Sequence, residues 1–292
     1  MRLFSRFRNG RIRPEWQFEA GGQLWRILFS ESGRIVGEDR DEGKKEVTFF
    51  CLDEVSGKVL WKGVAFEERW WIGIEAFYDG IVYLHEYIKP DLPQHKKIIA
   101  VDLESGKILW RNDELEPLFV AGAKFFAVRS SFEKRVLYEL NPVTGEIGRE
   151  FSEDDEGFET AQRRLGPSRQ DLVFPEIYES GVEHENELKN SIQSHCDFRK
   201  LVGSIEYIHH AGLLFFNYHE RAGSSSSDQP ALNNVFKVVN TNKNRLLHSE
   251  VLNENASAPT PDSFFLKGSQ LFYIKDKKLL AAFHLGEFQR KA

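Results

Sequence analysis

The chain has 292 residues, of which 41% are hydrophobic and 29% are charged, with a formal net charge of -6. This composition is typical of a globular protein, and it excludes disorder, a collagen-like repeat and low complexity as the main state. The acidic balance argues against a nucleic-acid partner, and no apolar run approaches the ~18–20 residues of a membrane span. Cys51 and Cys196 form no CxxC pair, so we expect no disulfide and, with no secretory signal, a cytoplasmic protein.

Taken from the N-terminus, the chain is a series of short apolar runs separated by turn residues. Asp79-Gly80 lies between two alternating apolar runs, which is a strong signal for a two-residue hairpin turn. The same pattern of two runs around a glycine recurs at Gly33, Gly122 and Gly212. We therefore predict an antiparallel hairpin at each of these four positions.

A second kind of hairpin follows each of these four, and its sequence repeats. Residues 49–61 read FFCLDEVSGKVLW and residues 98–110 read IIAVDLESGKILW, with weaker copies at 136–148 and 236–248. In each copy an apolar strand leads into a turn, where an Asp or Asn side chain can bind local backbone and a Gly or Asn can adopt positive φ. Each unit then holds four short strands, and units that repeat at about 40–50 residues are typical of a β-propeller.

The two ends of the chain are expected to meet in one sheet. Residues 264–284 contain three predicted strands, and the fourth is predicted at Ile12–Phe18, which resembles the return strand of the repeat. Within residues 152–200 we predict one strand at Leu172–Tyr178 and a helix or polar loop at 184–194. If that region is a degenerate blade, the propeller has six blades, which we favour. If it is an irregular insertion the count is five, and seven is a further alternative; in each case we expect a single domain over the whole chain.

The repeat string resembles that of the pyrroloquinoline-quinone-type β-propellers, which include quinoprotein dehydrogenases and non-enzymatic relatives. The resemblance implies that the Gly and Trp of each repeat are structural, and that Trp61 and Trp110 each dock one blade on the next. A quinone dehydrogenase is not expected, because it would normally need eight blades, a metal site and export from the cytoplasm. The structural residues of the repeat are Asp53, Gly57, Trp61, Asp102, Gly106, Trp110 and Gly145.

The candidate functional surface is the face that holds the long connections, because variable loops on a rigid scaffold often bind ligands. The long connections are predicted at residues 38–46, 62–69, 88–96, 152–171, 219–233 and 252–261. Polar strand ends would ring the mouth of a central channel there, and Trp71, if exposed, could anchor a partner. The residues of this predicted surface are Glu38, Arg40, His85, Glu86, Arg129, His219, Glu220, Arg221 and Trp71.

Two functions remain open from the sequence. We favour a non-enzymatic scaffold that binds a protein or a small ligand on the long-loop face. The alternative is a hydrolase or lyase that acts on an anionic or sugar substrate at the channel mouth, where His can titrate and Arg can hold a carboxylate. We assign no catalytic, cofactor or metal residue, because a catalytic metal needs three convergent ligands and a sequence does not show convergence. A metal held by His85 and His219 would favour the enzyme, and a dry apolar patch around Trp71 would favour the scaffold.

Overall fold

The structure of the chain is a computed structural model. It describes residues 12–88, 92–131, 134–152, 155–163, 171–179, 186–222 and 231–291. Tertiary contacts divide the chain into two compact units. We call residues 20–170 the three-sheet unit, and residues 1–19 together with 171–292 the two-sheet unit.

The three-sheet unit consists of four-stranded antiparallel meanders with the strand orders β2–β5, β6–β9 and β10–β13. The elements up to residue 163 are, in chain order, β1 (Trp16–Glu19), β2 (Gln23–Phe29), β3 (Arg34–Asp41), β4 (Glu46–Asp53), β5 (Val59–Val64), β6 (Ile72–Tyr78), β7 (Ile81–Ile88), β8 (Leu92–Asp102), β9 (Ile108–Asn112), β10 (Glu116–Ala121), β11 (Lys124–Ser130), β12 (Arg135–Leu140), β13 (Ile147–Phe151) and α1 (Glu156–Arg163).

The two-sheet unit has two five-stranded antiparallel sheets, ordered β15-β16-β17-β18-β19 and β1-β22-β21-β20-β14. Its remaining elements are β14 (Leu172–Val173), β15 (Glu176–Tyr178), α2 (Asn186–His195), β16 (Leu201–His210), β17 (Leu213–Arg221), β18 (Leu232–Asn240), β19 (Arg245–Ala256), β20 (Phe264–Lys267), β21 (Gln270–Lys275), β22 (Leu279–His284) and α3 (Leu285–Lys291). The predicted all-β class is confirmed. None of the three helices in the described ranges is both long and apolar enough to cross a membrane.

Strand β7 shows how the cores of the three-sheet unit are built. Successive side chains of a strand point to opposite faces of its sheet. Val82 and Leu84 pack in a core with residues of the first sheet, whereas Ile81 and Tyr83 pack in a core with residues of the third. Because both faces of this sheet are covered, β7 reads as a continuous apolar run up to His85, which lies on the same face as Tyr83.

The repeat turns have the local chemistry that the sequence predicts. Asp53 Oδ1 accepts hydrogen bonds from the backbone N of Ser56 at 2.9 Å and from its hydroxyl at 2.6 Å. Asp102 Oδ1 accepts both equivalent bonds from Ser105 in the second copy, and Asn141 Oδ1 accepts the backbone bond from Thr144 N in the third. The glycine position has positive φ throughout, and the Asn244 that replaces glycine in the fourth copy has a φ of 47°.

Each tryptophan of the repeat contacts the turn of the following copy. Trp61 Nε1 donates to the Leu103 carbonyl at 2.8 Å, and Trp110 Nε1 donates to the Pro142 carbonyl at 3.0 Å. The rings cover the turn glycines: a Cβ added to Gly145 would lie 2.5 Å from Trp110 Cδ2. Glycine is therefore required at that position both by its backbone conformation and by the neighbouring ring.

The predicted pairing of an N-terminal strand with the last strand of the chain is confirmed. β1 pairs antiparallel with β22, with Trp16 opposite Ala282 and Glu19 opposite Leu279. The strand is shorter than the predicted Ile12–Phe18, and Ile12 is buried ahead of it. The arginine-rich residues up to position 11 lie outside the described ranges.

The prediction of one strand at Leu172–Tyr178 is wrong. β14 pairs with β20, whereas β15 pairs with β16 in the other sheet of the same unit. The two short strands are separated by Phe174 and Pro175, and proline cannot donate to a sheet ladder. Of the two alternatives for residues 184–194, the structure shows the helix, α2, while α1 was not predicted.

Candidate metal centre

Two β-bulges in the second sheet of the three-sheet unit position the candidate site. Between β6 and β7 the register passes from Ile74 opposite Leu84 to Ala76 opposite Tyr83, so Glu75 is an extra residue. Between β7 and β8, two residues of β8 lie opposite His85, and one of them, Lys97, has a φ of 58°. Bulges redirect side chains, and they are frequent next to functional sites.

The bulges bring together Glu75, His85 and His95, one from each of three adjacent strands. His85 Nδ1 and His95 Nδ1 each lie 2.7 Å from Glu75 Oε2. The two imidazole rings are stacked, with centroids 3.5 Å apart and an interplanar angle of 7°. We call these three residues the metal triad, because their ligand atoms all lie within 4.8 Å of one another.

Two side chains of the metal triad, Glu75 and His85, have buried polar atoms without the hydrogen bonds that burial normally requires. The His85 side chain is fully buried, and the side chains of Glu75 and His95 are 15% and 34% exposed. Among the described residues, Glu75 Oε2 and both ring nitrogens of His85 have no hydrogen-bond partner, so the two 2.7 Å contacts are short but poorly aligned. Unpaired buried polar atoms are costly and rare in native proteins. A bound cation would use these lone pairs.

The protonation states of the metal triad also suit a cation. Burial lowers the pKa of His85, against the opposing effect of Glu75. Burial also acts to raise the pKa of Glu75, but the adjacent His85 and His95 outweigh it and lower that pKa to about 2. At neutral pH the cluster therefore offers a carboxylate and a neutral imidazole, which are the forms that bind metal ions.

Two residues of the predicted surface lie beside the metal triad. Gly73 is paired with His85, and the polar atoms of three side chains surround its α-carbon. A Cβ placed on Gly73 would lie 3.2 Å from Glu38 Oε1, 3.3 Å from His85 Nε2 and 3.3 Å from Tyr87 Oη. Glu38 is buried in an ion pair with Arg40 at 2.8 Å, and it accepts a hydrogen bond from the Ile74 backbone. The sequence-predicted Glu38, Arg40 and His85 thus occupy one region, buried rather than at a solvated rim.

The other predicted residues of the three-sheet unit have structural contacts. Glu86 is buried and bound by Lys97 at 2.9 Å. Arg129 is exposed, with an ion pair to Glu114. Trp71 is half-buried, and its backbone N donates to a Glu68 carboxylate oxygen.

The remaining predicted residues, His219, Glu220 and Arg221, belong to β17 in the two-sheet unit. His219 is buried, and its Nε2 accepts a hydrogen bond from the backbone N of Thr260 at 3.0 Å. Burial lowers the pKa of His219, so the neutral imidazole is favoured. Glu220 is half-buried and Arg221 is exposed at the strand end.

Sequence reasoning missed Glu75 and His95. The segment 88–96 was predicted as a long connection, but β7 extends to Ile88 and β8 begins at Leu92, so His95 is a strand residue. One signal was present: Glu75, His85 and His95 are ten residues apart. Equal spacing along three consecutive antiparallel strands can place side chains next to one another when the hairpins match in length.

Comparison with known proteins does not show a function for this chain. A family model described as a domain of unknown function (DUF4905) matches residues 29–110, a range that contains the whole metal triad. No curated protein matches the chain. A solved structure of a bifunctional GH43-CE protein of Bacteroides eggerthii aligns at 9% identity with a TM-score of 0.29, covering 94% of this chain. The chain spans about a third of that protein, since 34% of its length is covered.

Proposed function

We propose that Glu75, His85 and His95 bind one divalent first-row transition-metal ion, and that this ion is the functional centre of the protein. The observation behind the proposal is the convergence of three ligand atoms from Glu75, His85 and His95, together with the lack of a hydrogen-bond partner among the described residues for Glu75 Oε2 and both His85 ring nitrogens. Two histidines and one carboxylate are a ligand set of catalytic zinc sites and of non-haem iron sites. Three protein ligands leave at least one coordination position for another molecule.

This arrangement supports the enzyme alternative over the scaffold. A metal ion that keeps an open position supplies Lewis acidity, which suits hydrolysis or lyase chemistry on an anionic substrate. The chain itself orients the ion: stacking fixes the two imidazoles, and Tyr87 packs edge-on against both rings at 4.7 and 5.3 Å.

The proposal is tested by metal binding to the full chain after treatment with a chelator. Equilibrium dialysis against Zn²⁺ or Co²⁺ should give about one ion per chain. Glu75→Gln and His95→Ala should each weaken binding at least about tenfold, because a direct ligand is lost.

Matched controls are available elsewhere on the surface. His210→Ala removes an exposed histidine of the two-sheet unit, and Glu67→Gln changes a carboxylate whose side chain is 82% exposed. Both should bind the ion as the unmodified protein does. Equal binding by the Glu75→Gln, His95→Ala double variant would contradict the proposal.

We further infer that the sheets are blades of a β-propeller of the pyrroloquinoline-quinone repeat type. Support comes from the four-stranded meanders and from the contacts of Trp61 and Trp110 with the following repeat. The five sheets of the described ranges favour the five-bladed alternative over six. The buried free thiols of Cys51 and Cys196 support a reducing compartment such as the cytoplasm.

A further inference from the structure

The ring of His85 lies between two carboxylates, one near each of its nitrogens. Its Nδ1 is 2.7 Å from Glu75 Oε2, inside the metal triad. Its Nε2 lies beside the α-carbon of Gly73, where a Cβ would be 3.3 Å from Nε2 and 3.2 Å from Glu38 Oε1. Burial lowers the pKa of His85, and Glu38 is one of the two carboxylates that oppose this effect, as a neighbouring negative charge should.

Metal binding determines which nitrogen of His85 carries the proton. When Nδ1 coordinates an ion, the neutral ring keeps its hydrogen on Nε2. The His85 side chain is fully buried, so this N–H needs an acceptor within the protein. The second nitrogen of a metal-bound histidine almost always donates to a carboxylate, a carbonyl or a water, which orients the ring and makes the coordinating nitrogen more basic.

Glu38 can accept this hydrogen although its carboxylate is already bonded. Its Oε2 is paired with Arg40 at 2.8 Å, and its Oε1 accepts the backbone N–H of Ile74 at 2.9 Å. A carboxylate oxygen has two lone pairs, so Oε1 retains one for a second donor. The side that Oε1 turns toward the second sheet is the side on which His85 Nε2 lies.

The same ion pair holds the backbone of β6 just ahead of its bulge. Arg40 Nη2 donates to the Ile72 carbonyl at 2.6 Å. Glu38 Oε1 binds the Ile74 backbone, so the pair holds β6 on both sides of Gly73. Because Gly73 has no side chain, Glu38 can approach the strand and the imidazole ring at the same place.

We propose that Glu38 is a positioning residue of the metal centre, and that its Oε1 accepts the Nε2–H of His85 and so directs Nδ1 toward the ion. The proposal rests on the proposed metal centre and adds to it a residue that does not touch the ion. Gly73 is the condition for this contact, because a larger residue would separate the two side chains.

The test uses the zinc-loaded full chain and two readouts: the affinity for Zn²⁺ in equilibrium dialysis, and the downfield proton resonance of a buried imidazole N–H. Zinc loading of the unmodified chain should give such a resonance with slow solvent exchange, because the His85 side chain is fully buried. Glu38→Gln keeps an acceptor oxygen but removes the charge. It should weaken Zn²⁺ binding about tenfold and move the resonance upfield.

Gly73→Ala tests the same contact without removing a charge, so it stays informative if Glu38→Gln does not fold. The backbone of Gly73 is outside the left-handed region, and alanine there crowds only the side chains beside it. The added methyl should push Glu38 Oε1 and His85 Nε2 apart. We expect weaker Zn²⁺ binding and an upfield shift of the same resonance.

Two variants of the three-sheet unit are matched controls. Glu46→Gln removes a carboxylate that is paired with Arg69 and does not adjoin Gly73. Gly148→Ala adds a methyl to an exposed strand residue, where the Cβ would be 3.6 Å from the nearest atom. Both should bind Zn²⁺ within about twofold of the unmodified chain and leave the resonance in place.

The outcomes separate this proposal from the metal centre itself. If zinc binds but Glu38→Gln and Gly73→Ala change neither readout, or if zinc loading gives no protected N–H resonance, the role of Glu38 is wrong and the metal centre stands. If affinity falls while the resonance stays in place, Glu38 acts only through the fold and the positioning role is wrong. If Tyr87→Phe removes the resonance and Glu38→Gln does not, the acceptor is the Tyr87 hydroxyl. If the unmodified chain binds no zinc, both proposals fall.

Discussion

Gly145 meets two separate requirements at one residue. Its φ of 74° is in the left-handed region, and its α-carbon lies under the ring of Trp110. Gly33 has nearly the same φ, 73°, but a Cβ there would meet nothing within 4 Å. The pair therefore separates the cost of backbone conformation from the cost of a steric clash.

We expect Gly33→Ala to lower the free energy of unfolding by about 1–2 kcal/mol, the cost of a left-handed non-glycine residue. Gly145→Ala should lower it by about 1–3 kcal/mol more, because the added methyl overpacks the contact with Trp110. Denaturant unfolding of both variants measures the difference. Equal losses in the free energy of unfolding would show that the Trp110 ring shifts to accommodate the added methyl group without destabilising the fold.

His219 should make stability depend on pH. Burial lowers its pKa in the folded state below the usual 6.5, so the unfolded chain binds the proton more readily. The contribution of His219 is fully present above pH 6.5, and it is lost as the pH falls from there through the lower folded-state pKa.

Denaturant unfolding between pH 7.5 and 5 checks this expectation, with the pH range chosen to bracket a histidine of ordinary pKa at about 6.5. His219→Gln should show a shallower decline in the free energy of unfolding, because a glutamine oxygen can accept the Thr260 hydrogen bond without titrating. His210→Gln, at an exposed position, should keep the original slope. A His219→Gln protein with an unchanged slope would assign the pH dependence to other groups.

At the residue scale, the sequence predicts roles that depend on local chemistry. The turn aspartates and glycines follow from short-range hydrogen bonds and φ preferences, so Asp53, Asp102 and Gly145 were predictable. The metal triad depends instead on where a strand gains an extra residue, and no local pattern around Glu75 or Lys97 indicates a bulge. For that reason His85 was selected as a polar strand end while its two partners were not.

At the scale of the element, β1 tests how much one edge strand contributes. Trp16 is buried and packs against Phe272 with ring centroids 5.9 Å apart, whereas Gln17 on the same strand is exposed. Trp16→Ala should cost about 3–5 kcal/mol because a large buried side chain is removed. Gln17→Ala should stay within about 0.5 kcal/mol. Thermal and denaturant unfolding compare the two; similar small effects would show that β1 is dispensable to its sheet.

Hairpins were the most predictable elements, because both of their strands and the turn between them are contiguous. Asp79-Gly80 illustrates this: both residues have positive φ, as the expected two-residue turn requires. The strands β14 and β15 were harder, because each pairs with a partner distant in sequence. An apolar run such as 172–178 indicates extended chain, but it does not indicate that the two halves join different sheets.

At the scale of the whole molecule, the two units differ in how they use the chain. The three-sheet unit is one continuous segment, and each of its sheets is a meander of consecutive strands. The two-sheet unit combines the N-terminal segment with residues after 170. The sequence predicts this long-range pairing because residues 264–284 contain only three predicted strands and a fourth is predicted near the N-terminus. The single-domain and propeller assignments stay predictions.

The pairing of β1 with β22 sets an order of events during synthesis. β1 leaves the ribosome before its partner β22, which follows about 260 residues later; at about 5–20 residues per second this is a wait on the order of tens of seconds. The three-sheet unit can fold during this interval, while Trp16 and Phe18 remain without their sheet. Glu15 precedes this strand and Glu19 is its last residue; both are exposed, and charge at a strand edge discourages pairing with other chains. β1 is thus made well before it can join its sheet, and the carboxylates of Glu15 and Glu19 discourage wrong pairing until then.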